Sequence, residues 1–152
     1  MATARTALAL ALLACGVAVH AQDKTCTKAD SAAADKAIER VVTWQQLEKA
    51  WRDYRQCDTG SVDELYTDAL LRLTVEWKNV NVLAESMQKD PQYRDFVYRH
   101  LQSPAAKDDR ESVYSRAKSS CPGSLTAWCG ELAEAVKTTD VLKNAEFLKP
   151  IK

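Results

Sequence analysis

An all-α fold, a compact antiparallel bundle of five or six helices carrying two disulfides, is what the sequence predicts. Of its 152 residues 46% are hydrophobic and 28% charged, with only four Gly and four Pro, a composition too apolar for a disordered tail and too poor in turn formers for a many-stranded β protein. Apolar side chains recur at three- and four-residue spacing, and alternation of period two is absent. The cysteines that follow an apolar leader are even in number, as exported disulfide-bonded chains have them. The 21 Lys and Arg balance 21 Asp and Glu, so no net field favours nucleic acid or an anionic membrane.

The chain opens with a basic start ending at Arg5. An apolar run from Thr6 to Val19 follows, then Val19-His20-Ala21 as a small-residue cleavage pattern. Residues 1–21 therefore read as a secretory signal peptide and 22–152 as a single helical domain, placing the protein in the periplasm. The run is shorter than the roughly 20 apolar residues a membrane span needs. Leu12-Leu13-Ala14-Cys15-Gly16 offers a second choice, lipidation at Cys15, in the manner of a bacterial lipobox.

Cys26, Cys57, Cys121 and Cys129 remain in the mature chain and are expected to form two disulfides, with three pairings open. A Cys121–Cys129 bond requires its helix to begin after Gly123, because a continuous helix would hold the two Cα atoms roughly 12 Å apart. No His stands at ligand spacing from a Cys, so no zinc site is expected.

Residues 28 to 42, rich in Ala with a charged face, predict the first helix. Thr43-Trp44-Gln45-Gln46 has the form of a capping box, with Val42 and Leu47 placed as its hydrophobic staple; it marks either a new helix or an accidental match within a longer one. Trp44, Leu47, Trp51 and Tyr54 form one stripe, closed by Cys57 and Asp58-Thr59-Gly60. Ser61-Val62-Asp63-Glu64 is a second capping box, ahead of Val62, Leu65, Ala69, Leu73 and Trp77 at helical spacing. Asn79 can cap a short helix bearing Val80, Leu83, Ala84 and Met87. Asp90-Pro91 is a strong helix start, since Pro at the first helical position gives up no hydrogen bond. Phe96, Val97, His100 and Leu101 continue that helix to Ser103-Pro104. Asp108 with Glu111 opens the next, and Ser124 can cap a helix carrying Leu125, Trp128, Leu132 and Val136. The tail from Asp140 adds a turn or two around Leu142 and Leu148.

Catalytic groups are sparse. The mature chain holds one His, His100, with Asp95 five residues before it; no G-x-S-x-G elbow is present, and the expectation is an ordinary, partly buried histidine. Asp58, Asp63, Glu64 and Asp68 read as solvated charges on polar faces rather than a carboxylate pair in a cleft. Asp58 to Asp63 does not complete a calcium loop, since the alternate oxygen ligands and the closing Glu do not line up. Met87 and His100 are the one pair available to a haem, and there is no C-x-x-C-H. No cofactor and no metal are expected.

Aromatic and basic residues concentrate in Trp51-Arg52-Asp53-Tyr54-Arg55-Gln56-Cys57, the residue types that most often anchor protein interfaces. At this segment a resemblance appears. Leu47 to Asp58 (LEKAWRDYRQCD), Asp63 to Asp68, Asp90-Pro91 with Phe96-Val97 and Arg99-His100, and Cys121-Pro122-Gly123 to Cys129 together resemble the immunity proteins that protect the periplasm from type VI secretion amidase effectors. A weaker likeness, in Ala50-Trp51, Tyr54-Arg55 and Cys57, is to the lysozyme-inhibitor lipoproteins. Both resemblances imply a non-enzymatic periplasmic binder that occludes the active site of a peptidoglycan-cleaving enzyme.

The expected partner is a protein, a cell-wall amidase or a lysozyme-type hydrolase, with a homodimer as a further arrangement and neither nucleic acid nor a membrane span. Arg52, Arg55, Asp58 and Asp63 are the candidate contact residues, and the Asp58 to Asp63 connection and the Ser103 to Asp108 loop are the accessible segments. The alternatives are a periplasmic enzyme using His100 with a nearby carboxylate and a structural envelope component. His100→Ala is expected to separate enzyme from binder, abolishing function only in the enzyme.

Overall fold

The computed structural model describes residues 24–137. The signal segment with Cys15, and the tail from Asp140, lie outside the described residues. Seven α-helices follow one another: α1 (Lys28–Ile38), α2 (Trp44–Tyr54), α3 (Ser61–Glu76), α4 (Val80–Lys89), α5 (Pro91–Gln102), α6 (Arg110–Ser119) and α7 (Thr126–Val136). Single 3-10 turns at Arg55–Cys57, Pro104–Ala106 and Gly123–Leu125 connect them. The all-α bundle is as expected, and the described residues hold one helix more than the five or six anticipated, because the chain breaks between Ile38 and Trp44. No helix among the described residues is long and apolar enough to cross a membrane.

Local chemistry sets each boundary. Thr27 and Asp30 form a reciprocal capping box at α1, the Thr27 hydroxyl accepting from the Asp30 N–H at 3.1 Å and the Asp30 carboxylate from the Thr27 N–H at 3.2 Å. Sequence reading passed over this box. Thr43 caps α2 as expected, accepting from the Gln46 N–H, but Gln46 reaches back to the Val42 N–H at 2.8 Å rather than to the cap. The expected Val42–Leu47 staple is not made. Val42 is 68% exposed, and Val41 is buried in the core instead.

Four other expected caps are also corrected. Gly60, at φ 58 and ψ −130, caps α3 without a side chain, so Ser61 is already helical and the Ser61–Glu64 box does not form. That conformation is open to glycine and strained for any residue with a Cβ. Asn79 precedes α4 in the left-handed region without a side-chain bond, and Asp109 rather than Asp108 precedes α6. Ser124 lies in a 3-10 turn ahead of α7. Asp90 behaves as predicted, its carboxylate accepting from the N–H groups of Gln92 and Tyr93 before Pro91. α5 ends where expected, and the Arg110 guanidinium donates to the carbonyls of Leu101, Gln102 and Ser103, groups a helix C-terminus leaves open.

α3 is the central element, packed against α1, α2, α5 and α6. It buries Val62, Tyr66, Leu70 and Leu73 together with Thr67 and Thr74, more of its circumference than the single predicted stripe. Across it lies an aromatic cluster in which Trp51 stands 5.1 Å from Tyr93 and 5.8 Å from Phe96, and Tyr66 meets Phe96 edge-on at 5.2 Å. The Tyr66 hydroxyl donates to the Ala50 carbonyl at 2.9 Å, which joins α3 to α2.

Both disulfides form. Cys26–Cys57 ties the residue before the α1 cap to the 3-10 turn after α2, across 31 positions. Cys121–Cys129 spans the α6–α7 connection with Cα atoms 6.2 Å apart, and α7 begins only at Thr126, as the bond requires.

Candidate functional site

The site assembles around a histidine that the sequence places on a buried face. His100 shares the inner face of α5 with Phe96, Val97 and Leu101, and its residue is 1% exposed. A polar ring in such a position must find partners or lose several kcal/mol. Two arrive from other parts of the chain. Thr67, one turn after Asp63 on α3, brings its hydroxyl to 2.7 Å from Nδ1, and Asp58, in the connection before α3, brings Oδ2 to 3.2 Å from Nε2. Asp63 Oδ1 lies 3.9 Å from Nδ1. The neighbouring Arg99 closes the cluster from outside, pairing with Asp58 Oδ2 and, at 3.4 Å, with Asp63 Oδ1.

This arrangement corrects two expectations. Asp58 is no solvated charge: its side chain is 5% exposed and turned inward. His100 is fully rather than partly buried, and its carboxylate neighbours are Asp58 and Asp63 rather than the exposed Asp95. Burial alone would push the Asp58 pKa up. The hydrogen bond and charge of His100, followed by those of Arg99, outweigh burial and hold it below its ordinary value.

Proton bookkeeping constrains the cluster further. The Thr67 hydroxyl lies 3.0 Å from the Asp63 backbone carbonyl, where it can donate its one proton. When it does so it accepts from Nδ1–H of His100, and Nε2 then presents a lone pair to the Asp58 carboxylate unless a proton or another cation stands between them. Asp58 Oδ1 is buried and has no hydrogen-bond partner among the described residues.

The structure brings Asp58 and Asp63 together and keeps Arg52 and Arg55 apart from them. Arg52 pairs with Glu48 at 2.7 Å and with Asp90 at 2.9 Å. Arg55 donates to the Gln92 side chain at 2.6 Å. Both guanidinium groups flank Trp51, 5.6 and 5.5 Å from its ring centre. Two surface depressions, of about 330 Å³ beside Lys49 and Tyr54 and about 310 Å³ beside Tyr98 and Glu131, are not lined by His100.

No protein-family model, curated protein or solved structure matches the chain. Thr67 and Arg99 are the members of the cluster that sequence reasoning missed. The available signal was a polar residue on an apolar stripe at His100, which demands a partner without saying from where.

Proposed function

We propose that the protein is an exported, non-enzymatic binding protein that blocks a peptidoglycan-cleaving enzyme, as an inhibitor or an immunity protein. The observation that carries this reading is the double anchoring of the short connection into α3. On one side Cys57 is tied to Cys26; on the other Asp58 is held inward by His100 and Arg99. Beyond these anchors Thr59, Gly60 and the first helical residue, Ser61, are exposed. A loop ordered before it meets its target loses little conformational entropy on binding, which is what a steric inhibitor inserted into a cleft needs.

The contact would be made by this loop tip with Arg99 beside it. Arg55, whose partner is the neutral Gln92 side chain, serves as a peripheral anchor. Two disulfides support an oxidising compartment, in keeping with the leader at residues 1–21. An active-site role for His100 is less well supported, because its ring is buried between the Thr67 hydroxyl and the Asp58 carboxylate. His100→Ala therefore does not separate enzyme from binder, since it dismantles a buried network in either case.

The test is inhibition of purified cell-wall amidases and lysozyme-type hydrolases acting on isolated peptidoglycan. Suppression of one of them, relieved by Thr59→Arg at the exposed tip, is the expected result. If no hydrolase in either class is inhibited or captured, the reading is wrong. Mass spectrometry of the exported protein should show Gln22 at the N-terminus without lipid, and a diacylated Cys15 would place it on a membrane surface instead.

A further inference from the structure

We infer that Asp58, Asp63 and His100 form a binding site for a divalent transition-metal ion of the zinc class, with Arg99 as the resident cation in its absence. This goes beyond the inhibitor reading and does not depend on it. One ligand atom from each of the three residues lies within 4.8 Å of the other two. His100 Nε2 and Asp58 Oδ2 are separated by 3.2 Å. Bonds of about 2.0 to 2.2 Å place two ligands of a tetrahedral ion roughly 3.3 Å apart, so this edge already has the required length. Asp63, whose side chain is 37% exposed, has room to close the remaining distance and leaves a solvent-facing position for water.

Three further observations point to a cation rather than to an accidental acidic cluster. Nδ1 of His100 is engaged by the Thr67 hydroxyl, which relays to the Asp63 carbonyl; such an outer hydrogen bond fixes the tautomer that leaves Nε2 free to ligate. Asp58 Oδ1 is buried without a hydrogen-bond partner among the described residues, an orphan that coordination through both oxygens of Asp58 would relieve. Both carboxylates already share a cation, the Arg99 guanidinium, whose side chain is 53% exposed and can swing into water when an ion takes its place. One imidazole with two carboxylates suits Zn²⁺, Co²⁺ or Ni²⁺ better than Ca²⁺, which takes six to eight oxygens. The bound ion would fasten the connection before α3 to α5.

The purified protein with both disulfides formed, treated with chelator and dialysed at pH 7.5, is titrated with ZnCl₂ by calorimetry and with CoCl₂ by visible absorption. One equivalent of Zn²⁺ and a tetrahedral Co²⁺ spectrum are expected, with a Zn²⁺-dependent rise in melting temperature. Asp63→Asn should weaken binding at least about tenfold, as loss of even an outer-shell partner does. Arg99→Gln should tighten it by removing the competing charge, and Asp95→Asn, outside the cluster, should leave it unchanged. Absence of stoichiometric binding in both the wild type and Arg99→Gln overturns the site. So does an affinity that Asp63→Asn and Asp95→Asn alter equally, which marks non-specific surface binding.

Discussion

Asp58 and His100, 42 positions apart in the chain, meet at 3.2 Å beneath the surface and tie the connection before α3 to the middle of α5. Removing one member of such a pair leaves its partner without a counterpart in a place that water does not reach. Asp58→Ala, which takes away both carboxylate oxygens, should therefore destabilise the fold by about 1 to 3 kcal/mol, the cost of leaving a buried polar group unsatisfied. Urea denaturation at pH 7 in the presence of chelator measures this directly. A loss below about 1 kcal/mol would show that the pair contributes no more than an exposed one.

The same pair gives stability a definite pH dependence. Asp58 has a folded-state pKa below its ordinary value of 3.8. A depressed carboxylate pKa contributes stability that is fully present above the unfolded value and is lost as the pH falls through the folded one. The stability gap between wild type and Asp58→Ala should be constant from pH 7 to about 5 and shrink below about 4. Thermal melts of both proteins across that range check it. A gap that widens on acidification would reverse the assigned direction.

Helices were legible where the signal was local, and the site was not. Asp90-Pro91 sets the start of α5 by its own chemistry, and the stripe Trp44, Leu47, Trp51 is buried as its spacing predicts. α3 is less transparent, because a central helix buries several faces at once: Tyr66 and Leu70 are fully buried though they lie off the predicted stripe. Ser61 matches a cap signature, yet Gly60 already turns the chain, leaving Ser61 inside the helix. The cluster at His100 joins three segments that no short window contains. Asp58 reads as a loop charge until the fold of α5 against α3 encloses it.

The two disulfides should differ in what they contribute. Restriction of the unfolded chain grows with the length of the closed loop, so Cys26–Cys57, with a separation of 31, is worth more than Cys121–Cys129, with a separation of 8. Loop-closure entropy gives about 3.7 against about 2.5 kcal/mol. Paired Cys→Ser substitutions at each bond, compared by denaturant midpoint, test the order. Alkylation without reductant should label none of the four cysteines, and labelling of two or more would remove one bond from the account.

Trp51 and Arg55 separate core from surface on adjoining turns. Trp51 is buried between α2 and α5 with its ring against Tyr93 and Phe96, so Trp51→Ala should cost about 3 to 5 kcal/mol, the usual loss for a buried aromatic truncated to Ala. Arg55 lies outside that ring, 5.5 Å from its centre, with its guanidinium on the exposed Gln92 side chain. A cation–π contact at such a site contributes about 0.5 to 1 kcal/mol, and Arg55→Ala should lower stability by no more than that. Against a bound hydrolase the result should differ: loss of a charge-assisted hydrogen bond to a carboxylate weakens binding by about 1.5 to 3 kcal/mol. Thermal melts with a binding assay on both variants give the two readouts separately. A strongly destabilised Arg55→Ala would mean that the arginine is a structural clamp over Trp51. A stable Arg55→Ala with unchanged affinity would take the outer face of α2 out of the contact surface and leave the Thr59–Ser61 tip to carry it.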